Sequence, residues 1–156
     1  MDEISIIDVP TQKVIGIRKK GKYALIAELL PKLYEYSVEK GVQITGPPMF
    51  ICHEQCPDDV KKADEEGTAD IEIVFPIGAE IDCDEDYTCY KLAGGPMAKI
   101  IHKGPYEACQ PTYEKLFTWL EKNAKTITGP MREVYLNDPR EVTPEEIITE
   151  IYAPVA

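Results

Sequence analysis

Arg132-Glu133-Val134-Tyr135-Leu136 sets a carboxylate and a phenol two residues apart, between the turns Thr128-Gly129-Pro130 and Asn137-Asp138-Pro139. A short run with β-branched and aromatic residues, bounded by such turns, reads as a strand. Side chains alternate along a strand, so Glu133 and Tyr135 point one way and Val134 the other. Glu is depleted in strands and is rarely buried without a partner. Facing a ligand cleft, the pair suits two kinds of chemistry. A carboxylate among aromatic rings attracts a cation. A carboxyl in an apolar setting holds its proton more tightly and serves as general acid or base. On an exposed edge strand, Glu133 would simply be solvated.

The other chemistry-bearing residues form looser patterns. Cys52-x₃-Cys56 with His53, and Cys83-x₅-Cys89, lack the C-x₂-C spacing of zinc sites, so no metal is expected. No G-x-S-x-G, H-E-x-x-H or Gly-rich phosphate loop occurs. Cys52, His53 and His102 do not amount to a nucleophile–base pair. No catalytic residue is assigned, and whether a ligand is turned over stays open.

At 156 residues the chain has the size of one domain with a proper core. Its net charge of −11 argues against direct nucleic-acid binding, which needs a basic footprint. The charge suits long-range attraction of cations, or an acidic protein that masks a basic protein partner. No run of 18 apolar residues suggests a membrane span, and Met1-Asp2-Glu3-Ile4 does not open a secretory signal. The expectation is a cytoplasmic protein with reduced thiols.

The elements that must position Glu133 come in two rounds. Residues 4–20 read as strand broken at Pro10-Thr11, and 23–40 as a helix with Leu25, Leu29, Leu33 and Tyr36 on one stripe. Pro31 should kink that helix or move its start. Met49–His53 is a short strand, Pro57–Gly67 an acidic surface loop and Asp70–Pro76 a strand. The second round has strands at Tyr87–Leu92 and Met97–His102, a helix over Tyr106–Asn123, the Glu133 strand, and a last strand at Ile147–Pro154. A shift of 83 lays Ile17, Lys20, Gly21 and Tyr23 on Ile100, Lys103, Gly104 and Tyr106, and Ile44-Thr45-Gly46-Pro47 on Ile127-Thr128-Gly129-Pro130. A shift of 78 lays Glu72-Ile73 on Glu150-Ile151 and Pro76 on Pro154. The chain therefore reads as one α+β domain over 1–156, duplicated internally as about 4–78 and 87–156. It is expected to form two pseudo-twofold β-α-β-β modules with antiparallel sheets and a cleft between them. Under the 83 shift Glu133 falls on Phe50 and Tyr135 on Cys52.

Four stretches carry a resemblance: His102-Lys103-Gly104-Pro105-Tyr106-Glu107, Phe117-Thr118-Trp119-Leu120, Gly129-Pro130-Met131-Arg132-Glu133-Val134-Tyr135-Leu136-Asn137-Asp138-Pro139, and Thr149-Glu150-Ile151-Tyr152-Ala153-Pro154. The series resembles the GyrI-like effector-binding family, which includes gyrase-inhibitory proteins and the drug-binding domains of AraC- and MerR-type multidrug regulators. The resemblance implies an SHS2-type repeat, with Glu133 as the acid of a pocket for cationic, aromatic, lipophilic compounds. The candidate ligand-binding residues are Glu133, Tyr135, Tyr106, Phe50, Trp119 and Tyr152. Tyr106 alternatively packs against the sheet, Trp119 alternatively forms the edge of the core, and Tyr152 shares a strand face with Glu150. The family's regulators carry a helix-turn-helix domain ahead of this module, whereas this sequence starts at the first strand, so a stand-alone binding protein is expected. The alternatives are an acidic inhibitor of the gyrase-inhibitory type, or a metal-free hydrolase of electrophilic toxins using Glu133. The fold also resembles SOUL-type haem binders. Only His53 and His102 could serve there as axial ligands, so no cofactor is expected.

Overall fold

The computed structural model describes residues 4–54, 57–79, 81–83, 87–105, 108, 110–137 and 141–156. The period-two stretches become eight strands. β1 (Ser5–Val9) and β2 (Gln12–Gly21) part at Pro10, whose ring nitrogen cannot donate to a ladder. They are followed by β3 (Met49–Cys52), β4 (Ala69–Pro76), β5 (Tyr87–Leu92), β6 (Gly95–Lys103), β7 (Met131–Tyr135) and β8 (Ile148–Pro154). The helices are α1 (Ile26–Glu39), α2 (Pro57–Glu66) and α3 (Gln110–Lys122).

Two compact units result. One joins β1 to the chain from Gly94 to Ala156 and carries α3 on an antiparallel sheet of order β1-β6-β8-β7. The other spans Thr11–Ala93 and carries α1 and α2 on an antiparallel sheet of order β5-β2-β4-β3. The orders match once each strand is exchanged for its repeat partner. The first strand of each repeat pairs in the unit built mainly by the other repeat: Ile6 lies opposite Ala98, and Cys89 opposite Ile15. Phe50 lies opposite Ile73, and Glu133 lies opposite Ile151.

Each unit buries its own apolar set. Ile15, Ile17, Leu33, Ile71 and Ile73 are sealed in one, and Met97, Ile100, Leu116 and Ile151 in the other. The α1 stripe is Leu29, Leu33 and Tyr36, at three- and four-residue spacing. Pro31 stays inside α1, where its nitrogen leaves one helical bond unmade, and a 3-10 turn at Tyr23–Leu25 precedes the helix. Both long helices end alike. Gly41 takes φ +71° after α1, with Val42 N–H bonded to Ser37 O at 2.9 Å. Ala124, 83 positions later, takes φ +53° after α3, with Lys125 N–H bonded to Leu120 O at 2.9 Å. This is a Schellman ending, and Ala fills the left-handed position less comfortably than Gly.

The acidic stretch read as a loop is instead the helix α2. Asp58 and Asp59 sit in its first turn, where the helix dipole favours negative charge, and Gly67 at φ +68° follows its end. Among the described residues no helix is long and apolar enough to cross a membrane.

Candidate functional site

The Glu133 site is built inside the unit of β1 and residues 94–156. Glu133 lies opposite Ile151 on β8, which lies opposite Ile100 on β6. In the next row of the same face, Tyr135 lies opposite Thr149, and Thr149 opposite His102. The alternation read from the sequence therefore holds, since Glu133 and Tyr135 share one face. Helix α3 packs on that face. Its Tyr113 O–H donates to Glu133 Oε2, and Tyr135 O–H donates to Glu133 Oε1 at 3.3 Å. Just after β7, Asn137 Oδ1 accepts from Ile148 N–H at 3.0 Å and its Nδ2 donates to Glu146 O at 2.9 Å.

Burial is the main influence on the Glu133 carboxyl and pushes its pKa above the usual carboxylate value. The two tyrosine hydroxyls, and His102 in the next row, pull the other way but do not cancel it. The residue as a whole keeps some solvent exposure, whereas its carboxylate sits among protein atoms, and the carboxylate governs ionisation. Among the described residues no lysine or arginine pairs with it. His102 is held at both nitrogens: Nε2 is 2.9 Å from Pro105 O, and Nδ1 is 2.8 Å from Thr112 Oγ1. A carbonyl only accepts, so Nε2 carries a hydrogen, and in the neutral ring Nδ1 accepts from the Thr112 hydroxyl. Between His102 and Tyr135, the fully buried Thr149 Oγ1 has no hydrogen-bond partner among the described residues. A buried carboxyl held by phenols can take up a cation or retain a proton.

The other candidates fall elsewhere. Tyr152 lies opposite Arg132 and Lys99, on the face away from Glu133. Its O–H donates to Glu150 Oε1 at 3.0 Å, and Lys99 Nζ lies 2.6 Å from Glu150 Oε2 and 5.8 Å from the Tyr152 ring centroid. Burial and the adjacent Glu150 raise the Tyr152 pKa far beyond neutral pH. Trp119 is half-buried on the flank of α3, about 120° around the helix from Tyr113. Phe50 is buried in the unit Thr11–Ala93, with the Tyr23 ring edge-on at 6.0 Å. Tyr106 lies outside the described residues, as do Cys56 and Cys109. Tyr113 and Thr149 were not read as site residues. On α3, Tyr113 precedes the buried Leu116 and Leu120 by three and seven positions, and its phenol is the signal that could have found it.

In the unit Thr11–Ala93 the buried Glu72 accepts from Tyr90 O–H at 2.5 Å and lies 2.8 Å from His53 Nε2. A cavity of about 370 Å³ opens beside α2, lined by His53, Glu54, Asp59, Lys62 and Glu66 among others. Its charged lining fits water and ions better than an apolar ligand, so the Glu133 site, whose carboxylate is held by phenols and by no lysine or arginine among the described residues, is the better candidate. Among the described residues no group of three or more His, Cys, Asp or Glu is placed to hold a metal ion.

The family described as "GyrI-like small molecule binding domain" matches residues 2–156. Comparison with curated proteins gives no match. Among solved structures, the EcmrR C-terminal domain superposes with a TM-score of 0.84 at 20% identity, covering 100% of this chain and 98% of that one. EcmrR in its complex with DNA gives a TM-score of 0.86 at 20% identity over 98% of this chain, which spans 57% of the EcmrR chain. SAV2435 bound to tetraphenylphosphonium gives a TM-score of 0.64 at 18% identity, covering 99% of this chain and 94% of that one. These likenesses show the α+β fold of paired antiparallel modules.

Proposed function

The chain belongs to the GyrI-like family of small-molecule-binding domains, and on that premise we propose that it binds cationic, aromatic, lipophilic compounds with Glu133 as counter-ion. The observation that carries the reading is the Glu133 carboxylate, buried, paired with no cationic side chain among the described residues, and held by Tyr113 and Tyr135 hydroxyls. A ligand cation replaces those hydroxyls. At about 4 Å, in an effective dielectric of about 20, the attraction is about 4 kcal/mol, part of which offsets the lost hydrogen bonds. A cation over an aromatic face adds about 0.5–2 kcal/mol, and apolar burial supplies most of the rest. Affinity in the micromolar range with broad selectivity follows. SAV2435, with its tetraphenylphosphonium ligand, supports this class of compound. The proposal concerns the module itself.

The test is titration of tetraphenylphosphonium and a rhodamine-type dye into wild type and Glu133→Gln. A neutral amide keeps the shape and removes the charge, so affinity should fall tenfold or more. Equal affinity in both would remove Glu133 from the site.

A further inference from the structure

We infer that Cys83 and Cys89 form a reversible intrachain disulfide, a redox-sensitive clasp distinct from the Glu133 site. Their sulfurs lie 3.0 Å apart. A disulfide needs about 2.05 Å, so closing the bond asks the sulfurs to approach by about 1 Å. Both residues keep partial solvent exposure, which lets a small oxidant reach them. Cys89 sits on β5 opposite Ile15 of β2, and Cys83 precedes it by six positions in the chain, its sulfur 3.8 Å from Ile81 O. The bond would tie Cys83 to strand β5. The third described cysteine, Cys52, has its sulfur 3.7 Å from Glu54 O and serves as an internal comparison.

The oxidant class is a small-molecule disulfide. One cysteine, as thiolate, attacks a sulfur of that molecule and releases one small thiol, leaving a mixed disulfide. The second cysteine, also as thiolate, attacks the protein sulfur of that mixed disulfide, forms the Cys83–Cys89 bond and releases the second small thiol. The protein loses two electrons and two protons, and the small disulfide gains them. The exposed acid at Asp82 repels anionic oxidants, so cystamine, which is cationic, is the suitable probe.

The full chain is reduced, desalted and incubated with cystamine. Intact mass and peptide mapping are then read for wild type, Cys83→Ser and Cys89→Ser. Wild type should lose about 2 Da with a Cys83–Cys89 linkage and no cysteamine retained on either residue. Each serine variant should instead keep one cysteamine on its remaining cysteine, while melting within a degree or two of reduced wild type. Dithiothreitol should reverse both products. The inference is overturned if wild type carries cysteamine on Cys83 and Cys89 without closing the ring. It is equally overturned if neither cysteine reacts while Cys52 does, or if the mapped bond joins Cys83 or Cys89 to another cysteine.

Discussion

Replacing Tyr113 by Phe should destabilise the protein more at high pH than at low pH. The hydroxyl donates to Glu133 Oε2, and among the described residues the other hydroxyl on that carboxyl is Tyr135, at 3.3 Å. Below the ordinary carboxylate range Glu133 is protonated in the folded and unfolded states alike. The lost bond is then neutral, worth about 0.5–1.5 kcal/mol. Above the folded pKa the carboxylate is ionised and the lost bond is charge-assisted, worth about 1.5–3 kcal/mol. The difference, about 1–1.5 kcal/mol, is close to a tenfold rise in the proton affinity of Glu133. The sign follows from burial, which raises the folded pKa above the unfolded value of 4.5. The folded state binds more protons, so the contribution of this group is fully present below the unfolded pKa and is lost as pH rises through the folded one. Tyr113→Phe extends that loss to higher pH. Urea unfolding at about pH 4 and pH 8, for wild type, Tyr113→Phe, Glu133→Gln and the double variant, measures it. An equal cost at both pH values, or the same pH dependence in the Glu133→Gln background, would refute the reasoning.

Ala124→Gly should stabilise the protein by about 0.5–1 kcal/mol, because Ala124 holds a positive φ that Gly41 holds without strain after α1; a lower urea midpoint would contradict it. Gly16→Ala should cost about 1–3 kcal/mol, since its Cβ would lie 2.8 Å from Val74 Cγ1 and 3.2 Å from Ile73 O; an unchanged melting temperature would show that β4 yields freely. Leu116→Ala should cost about 2–5 kcal/mol by opening a cavity under α3, read by the same denaturation.

The legible parts of this protein were those written in local period. Two-residue alternation gave the strands and placed Glu133 and Tyr135 on one face. The repeat gave the register that sets Phe50 where Glu133 stands. Helix α2 was hidden because its half-buried positions among the described residues are Val60, Ala63 and Asp64, two apolar side chains and an acid among charges that read as solvated loop. The exchange of β1 and β5 between units is a choice of pairing partner, which alternation does not encode. The place of Tyr152 opposite Arg132, away from Glu133, depends on the register of β8 against β7. Tyr113 reaches Glu133 only once α3 is docked with the correct phase, and the stripe it shares with Leu116 and Leu120 marks a buried face without naming a hydrogen-bond partner.

The most direct measurement is the proton count on binding of tetraphenylphosphonium. Isothermal titration in two buffers of different ionisation enthalpy, at several values between about pH 5 and pH 8, yields the protons released per bound cation. The cation stabilises the ionised carboxyl, so wild type should release a fraction of a proton that grows as pH falls toward the raised pKa of Glu133, while Glu133→Gln should bind more weakly and release none. Binding of equal strength in both proteins, with no proton released by either, would contradict the role of Glu133 as the counter-ion.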